Sequence, residues 1–185
     1  MISRRDIPNI LTILRILLVA PIVVLMVEER YLTAMALFAV AGISDGLDGY
    51  LAKRNGWVTR LGSFLDPLAD KVLLVCSYVT LGWNGLLPWW LVALVIGRDL
   101  LILGGAAAFR ILVGRFNAEP TLVSKTNTFA QIVLVLAVVF DQLVAWSLQH
   151  LVEPLLYVVA ATTIASGVGY VWEWGRRALR RHQQV

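Results

Sequence analysis

Apolar residues run through this chain in long blocks, interrupted at intervals by short clusters of polar and turn-forming residues. A helix needs about 20 mostly apolar residues to cross a bilayer core of about 30 Å. Six such blocks are predicted as spanning helices, at roughly 8–27, 31–53, 61–82, 88–109, 123–146 and 151–173. The breaks between them carry charge or turn chemistry. Glu28-Glu29-Arg30 closes the first block, the run from Arg54 to Arg60 follows the second, and Trp83-Asn84-Gly85 with Pro88 separates the third from the fourth. Arg110–Leu122 is the longest link, and Gln149-His150 with Glu153-Pro154 marks the last break. The first block begins near Met1 without a small-residue cleavage site, so it reads as a retained helix and not as a signal peptide.

Composition agrees with a chain immersed in lipid. Of its 185 residues, 59% are hydrophobic and only 15% charged, against about 25% charged in an average soluble domain. Mean hydropathy is +0.77, which also excludes intrinsic disorder. Cys76 is the sole cysteine, which rules out an intrachain disulfide and a cysteine-based metal site. The net charge of +4 raises nucleic acid as a partner, but the placement of the charges argues otherwise. Arg4, Arg5, Arg54, Arg60, Arg110, Arg115, Lys125 and the tail Arg176, Arg177, Arg180 and Arg181 fall on one side of a six-span topology, with only Arg30 on the other. The positive-inside rule therefore places both termini in the cytoplasm. The tail reads as an anchor against anionic headgroups. Trp57, Trp83, Trp89, Trp90, Trp146, Trp172 and Trp174 lie near predicted span ends, where an interfacial belt would put them.

Ionisable groups inside spans cost roughly 2.5–3.5 kcal/mol each on insertion scales and need a reason to be there. Asp45 and Asp48 stand near the end of the second span, Asp66 and Asp70 near the start of the third. Spacings of three and four residues put each pair on one helical face. The short link forces the two helices into a hairpin, and at 1.5 Å per residue Asp48 and Asp66 both lie roughly 9 Å below it. Two carboxylate pairs at matched depth can converge on one point, and they cannot all stay ionised there without cations. Oxygen donors with no His or Cys favour Mg²⁺, Mn²⁺ or Ca²⁺. Four carboxylates can hold two such ions, the arrangement that clamps a phosphoryl or pyrophosphate group. Gly46, Gly49 and Gly62 sit in or beside the cluster and would let a ligand approach the backbone, whereas Gly42-x-x-x-Gly46 also has the form of a small-residue packing seam.

In full, the cluster reads Asp45-Gly46-Leu47-Asp48-Gly49-Tyr50-Leu51-Ala52-Lys53-Arg54, then Gly62-x-x-x-Asp66-x-x-x-Asp70. This resembles the signature of the CDP-alcohol phosphotransferases, D-x-x-D-G-x-x-A-R-x8-G-x-x-x-D-x-x-x-D. The one departure is Lys53 in place of Arg, which keeps the charge and loses bidentate phosphate geometry. Pro8-Asn9-Ile10-Leu11-Thr12-Ile13-Leu14-Arg15 looks like the P-N-x-L-T-x-x-R element of the lipid-synthesising branch. The stretch Gly62–Lys71 is similar to both cardiolipin synthases and phosphatidylglycerophosphate synthases. Arg98-Asp99, Pro120–Thr128 and Ala161–Ser166 lean toward eukaryotic-type cardiolipin synthases.

The resemblance implies an all-α integral membrane fold, with residues 1–185 as a single domain of six transmembrane helices and the site near the cytoplasmic face. It also implies a homodimer in a bacterial inner membrane, or in the mitochondrial inner membrane of a eukaryote. It implies a metal-dependent transferase that moves a phosphatidyl group from CDP-diacylglycerol to an alcohol and releases CMP. Asp45, Asp48, Asp66 and Asp70 would hold two Mg²⁺ or Mn²⁺ ions, with Asp70 as general base, and Asn9, Gly49, Lys53 and Gly62 would face the CDP moiety. A lipid acceptor such as phosphatidylglycerol carries a phosphodiester, for which Arg98 and Lys125 are the candidate cations. An ion pair with Asp99 is the alternative for Arg98, and snorkelling to the interface is that for Lys125. Two rival readings stay open. Glycerol 3-phosphate could be the acceptor, or the four aspartates could line the pathway of a small cation transporter.

Overall fold

A computed structural model describes residues 7–55, 62–112, 122–144 and 146–182. Within them, the side chains at 7–9, 45, 47–55, 62–65, 67, 106–112, 174–175 and 177–182 are not among those described. The described residues form six helices and no strand: α1 (Ile7–Val27), α2 (Tyr31–Asn55), α3 (Gly62–Trp83), α4 (Trp89–Leu112), α5 (Leu122–Asp141) and α6 (Gln149–His182). The first four match the apolar blocks to within a few residues. Two ends differ from expectation. α5 stops at Asp141, short of 146, because the chain tightens into three-residue turns there: Gln142 N–H donates to the Val139 carbonyl at 3.2 Å and Leu143 N–H to that of Phe140 at 2.9 Å. α6 continues past 173 through the basic tail, where Ala, Leu and Arg are all strong helix formers. Its 34 residues measure about 51 Å at 1.5 Å each, longer than the ~30 Å apolar layer.

Three helical stretches among the described residues are long and apolar enough to cross a membrane: Ile10–Val27, Leu122–Asp141 and Gln149–Glu173. Beside an apolar core, many large apolar side chains face outward and several polar ones inward. Leu17, Ile43, Phe129, Tyr157 and Val168 are exposed, while Thr12, Arg15, Asn127 and Gln131 are buried. Trp83, Trp89, Trp90, Trp146 and Trp172 are exposed at the ends of apolar stretches. Trp57 and Trp174 lie outside the described side chains.

The chain divides into two compact units, one from Met1–Leu87 with Val135–Ser147 and the other from Pro88–Leu134 with Leu148–Val185. In the first, α1 packs against both α2 and α3, burying Ile22 and Met26 of α1, Ala34 and Phe38 of α2, and Leu74 and Tyr78 of α3. In the second, α4 packs against α6.

Helices α1 and α3 end alike. Arg30 N–H donates to the Leu25 carbonyl at 2.8 Å and Glu29 N–H to that of Met26 at 3.2 Å; Leu86 N–H reaches Leu81 at 2.9 Å and Gly85 N–H reaches Gly82 at 3.1 Å. This nested pair of bonds requires one residue in the left-handed region. Glu29 (φ 59°) fills that position in α1 and Gly85 (φ 74°) in α3, and only glycine does so without steric cost. Asn84 Nδ2 then donates to the Met26 carbonyl at 2.7 Å, tying the two helix ends together. Gly85→Ala should lower stability by about 1–2 kcal/mol, and Glu29→Gly should shift it the other way by less. The thermal midpoint of the detergent-solubilised protein measures both.

Candidate active site

Two polar faces meet where α1 packs on α3. Thr12 and Arg15 are three residues apart on α1, and Asp66 and Asp70 are four apart on α3, so each pair lies on one face. Thr12 Oγ1 donates to Asp66 Oδ1, and Arg15 Nη1 donates to Asp70 Oδ1 at 2.7 Å. Both contacts ascend together, so α1 and α3 run in the same direction. The burial is lopsided. Arg15 is 1% exposed, whereas the Asp70 side chain is 44% exposed. A guanidinium is seldom buried so deeply without a charged partner. The buried cation therefore grips one oxygen of Asp70 from behind, while the carboxylate itself stays open to a ligand. Asp66 is held in the same way by the buried hydroxyl of Thr12.

Asp45 and Asp48 fall on α2, as do Gly49 and Lys53, while Asn9 lies on α1 and Gly62 opens α3. Their side-chain surroundings lie outside the described residues. The convergence of all four aspartates lies outside the described residues, among which no three His, Cys, Asp or Glu side chains gather. The half of the donor set contributed by α3 has the right chemistry for a hard divalent cation: two carboxylates one turn apart, each held through one oxygen by α1. Around Gly42 and Gly46 an added Cβ would meet nothing within 4 Å. The small-residue seam expected there is thus not a packing requirement among the described residues.

Arg98 is expected to face an acceptor phosphate, but its described bonds go to protein groups. In the second unit its Nη1 donates to Asp99 Oδ1 at 2.7 Å, its Nη2 to Ser124 Oγ at 2.6 Å, and its Nε to Ser166 Oγ at 3.2 Å. Arg98 and Asp99 are each only 6% exposed. The guanidinium thus joins α4, α5 and α6, and the alternative of a pair with Asp99 is the one present. Lys125, by contrast, is exposed at the start of α5 and has no ion pair among the described residues. Beside this junction, Asn127 Oδ1 accepts from Thr162 and Thr163 Oγ1, both at 2.9 Å. Asn127 and Gln131 are fully buried, and sequence reasoning passed over both. The signal was available in the polar face Ser124, Asn127 and Gln131, at helical spacing within an apolar segment. Thr12 was legible only as part of the resemblance, although beyond Asn9 only Thr12 and Arg15 interrupt an apolar α1, on one face.

In the described residues, a polar α1 face thus holds the second aspartate pair of the Asp-x-x-Asp…Asp-x-x-x-Asp sequence. The family model of the CDP-alcohol phosphatidyltransferases matches residues 5–168. The chain belongs to that family. Members of this family generally use a divalent metal. Among curated relatives of this chain, a chloroplastic CDP-diacylglycerol–glycerol-3-phosphate 3-phosphatidyltransferase of Oryza sativa is 37% identical over 183 residues, 89% of this chain and 56% of the relative. A human cardiolipin synthase (CMP-forming) is 34% identical over 194 residues, 94% of this chain and 63% of the relative. A probable phosphatidylglycerophosphate synthase of Mycobacterium tuberculosis is 33% identical, with 95% and 82% covered. The chain therefore spans little more than half the length of the rice protein and somewhat more of the human one. The named relatives divide between a cardiolipin synthase and enzymes named for glycerol 3-phosphate or phosphatidylglycerophosphate.

Proposed function

We propose that this family member is a cardiolipin synthase, transferring the phosphatidyl group of CDP-diacylglycerol to phosphatidylglycerol with release of CMP. The observation that carries the transferase reading is the grip of Thr12 and Arg15 on Asp66 and Asp70, which orients two carboxylates while leaving Asp70 accessible. Asp45, Asp48, Asp66 and Asp70 would hold the divalent cations, whose bound charge would neutralise the donor's pyrophosphate.

The remaining steps belong to the chain's own residues. Asp70 takes the proton from the free terminal hydroxyl of phosphatidylglycerol's headgroup. That oxygen forms a bond to the β-phosphorus of CDP-diacylglycerol as the bond to the CMP oxygen breaks, and a second phosphodiester, cardiolipin, results. Arg15 keeps Asp70 aimed, because its own helix fixes the guanidinium. Lys125, exposed at the cytoplasmic end expected for α5, is the cation available to the acceptor's phosphodiester, while Arg98 holds the three helices around it in register.

The acceptor choice rests on the apolar Phe64-Leu65 and Leu68-Ala69 beside the aspartates in sequence, on Leu112, Val113 and Phe116 within Arg110–Leu122, and on the resemblance of Pro120–Thr128 to cardiolipin synthases. Glycerol 3-phosphate is the second reading, favoured by the name of the rice relative. Purified protein given CDP-diacylglycerol and each acceptor in turn distinguishes them. Cardiolipin should form with phosphatidylglycerol, and Lys125→Ala should raise the KM for that lipid more than it lowers kcat. Robust CMP release with glycerol 3-phosphate and none with phosphatidylglycerol would overturn the acceptor and leave the family reaction intact.

A further inference from the structure

In the second unit, α4 and α6 lie side by side along an open groove of about 730 Å³. Gly97 of α4 and Gly167 of α6 line it, with Arg98 beside them, and Val168, Trp172 and Arg176 follow along α6. An added Cβ at Gly97 would meet nothing within 4 Å, and one at Gly167 would meet only Arg98 Cγ, at an ordinary 3.8 Å. Neither backbone has a positive φ. The two glycines are thus required neither by helix packing nor by backbone conformation, although each costs a helix interior about 1 kcal/mol relative to alanine. What they leave is room.

The room has the dimensions of one leaflet. From Thr163 to Arg176 along α6 the groove rises about 20 Å, half of the ~40–45 Å that a bilayer measures with its headgroup regions. Its walls are apolar for most of that length. At its end stand Trp172, 68% exposed, and Arg176, also exposed. Glu173 is the only acid between Thr163 and His182, and it does not line the groove. Arg177, Arg180 and Arg181 follow in sequence. Apolar fit alone selects nothing here, since surrounding lipid tails are as apolar as the groove. Selection falls on the headgroup, where an arginine beside an interfacial tryptophan favours negative charge.

We propose that the α4/α6 groove seats one anionic phospholipid of the leaflet that holds Arg176, with an acyl chain over Gly97 and Gly167 and its phosphate at Arg176. The site stands whichever alcohol the transferase uses, and its test does not measure transfer.

The full chain is placed in phosphatidylcholine nanodiscs containing a trace of phosphatidylglycerol or phosphatidylcholine with a photoactivatable diazirine in one acyl chain. Labelled peptides are then mapped by mass spectrometry. Label from phosphatidylglycerol on residues 93–101 and 163–172 should exceed that from phosphatidylcholine roughly fivefold, the effect of one arginine at a membrane surface. Arg176→Gln, at an exposed position, should bring the two close to equal. Gly97→Leu with Gly167→Leu should fill the groove and remove the label there, with helical content and thermal midpoint near wild type. Three outcomes would overturn the proposal: equal labelling of the wild type by both lipids, labelling unchanged by the filled groove in a folded variant, or crosslinks from the groove to a second copy of the chain.

Discussion

Asp70→Asn should lower the rate of CMP release by roughly 10²–10⁴-fold, the usual scale for loss of a general base. The substitution is unusually clean at this position. Asparagine keeps a side-chain oxygen where Asp70 Oδ1 now accepts from Arg15 at 2.7 Å, so the buried guanidinium still has an acceptor and the α1–α3 packing is preserved. What asparagine lacks is the ability to take a proton at that point and one charge of the proposed cation site, so weakened cation binding adds to the loss of the base. Affinity for CDP-diacylglycerol should therefore change less than turnover, and the thermal midpoint should stay close to wild type. Asp66→Asn is the comparison, because Asp66 accepts from Thr12 in the same manner and shares the proposed cation site without an assigned proton-transfer role, so excess cation should restore it more than Asp70→Asn. Near wild-type turnover in Asp70→Asn would remove the base from Asp70, whatever Asp66→Asn does through the cation site.

Removal of divalent cations should abolish turnover, and Mg²⁺ or Mn²⁺ should restore it. The expectation comes from the density of carboxylates, Asp45, Asp48, Asp66 and Asp70, with no nitrogen or sulfur ligand near them in sequence. A second readout does not depend on activity. A cation that binds only the folded protein stabilises it by about 2.7 kcal/mol at a hundredfold excess over its Kd. The thermal midpoint should therefore rise with added Mn²⁺ and fall with EDTA, and the rise should shrink in Asp66→Asn. Full turnover in EDTA, with a midpoint indifferent to Mn²⁺, would remove the metal reading.

How much of this was legible in the sequence differs from element to element. The helices were, because lipid imposes a length on any apolar segment and every backbone polar group within it must be satisfied internally. α1 to α4 accordingly follow the hydropathy breaks closely. The ends of α5 and α6 did not follow them. A helix stops where its backbone bonds stop, and polar helix formers such as those of the basic tail carry it beyond the apolar layer without any hydropathy signal. The aspartates were legible by type and spacing, since ionisable groups in an apolar run are costly enough to announce themselves.

Partners were another matter. Arg15 and Asp70 are 55 residues apart in sequence. Nothing local in either segment says that α1 presents Thr12 and Arg15 to the same α3 face that carries Asp66 and Asp70. Arg98 read first as a phosphate ligand, with a pair to Asp99, its neighbour in sequence, as the alternative. Ser124 and Ser166, which take the rest of its guanidinium, become visible only once α5 and α6 are placed beside α4. The sequence by itself determined the membrane, the helices and the family chemistry, because hydropathy and residue type act within a segment. Which buried polar groups satisfy one another was decided by tertiary packing, because a hydrogen bond inside lipid depends on the facing of two helices that neither one encodes alone.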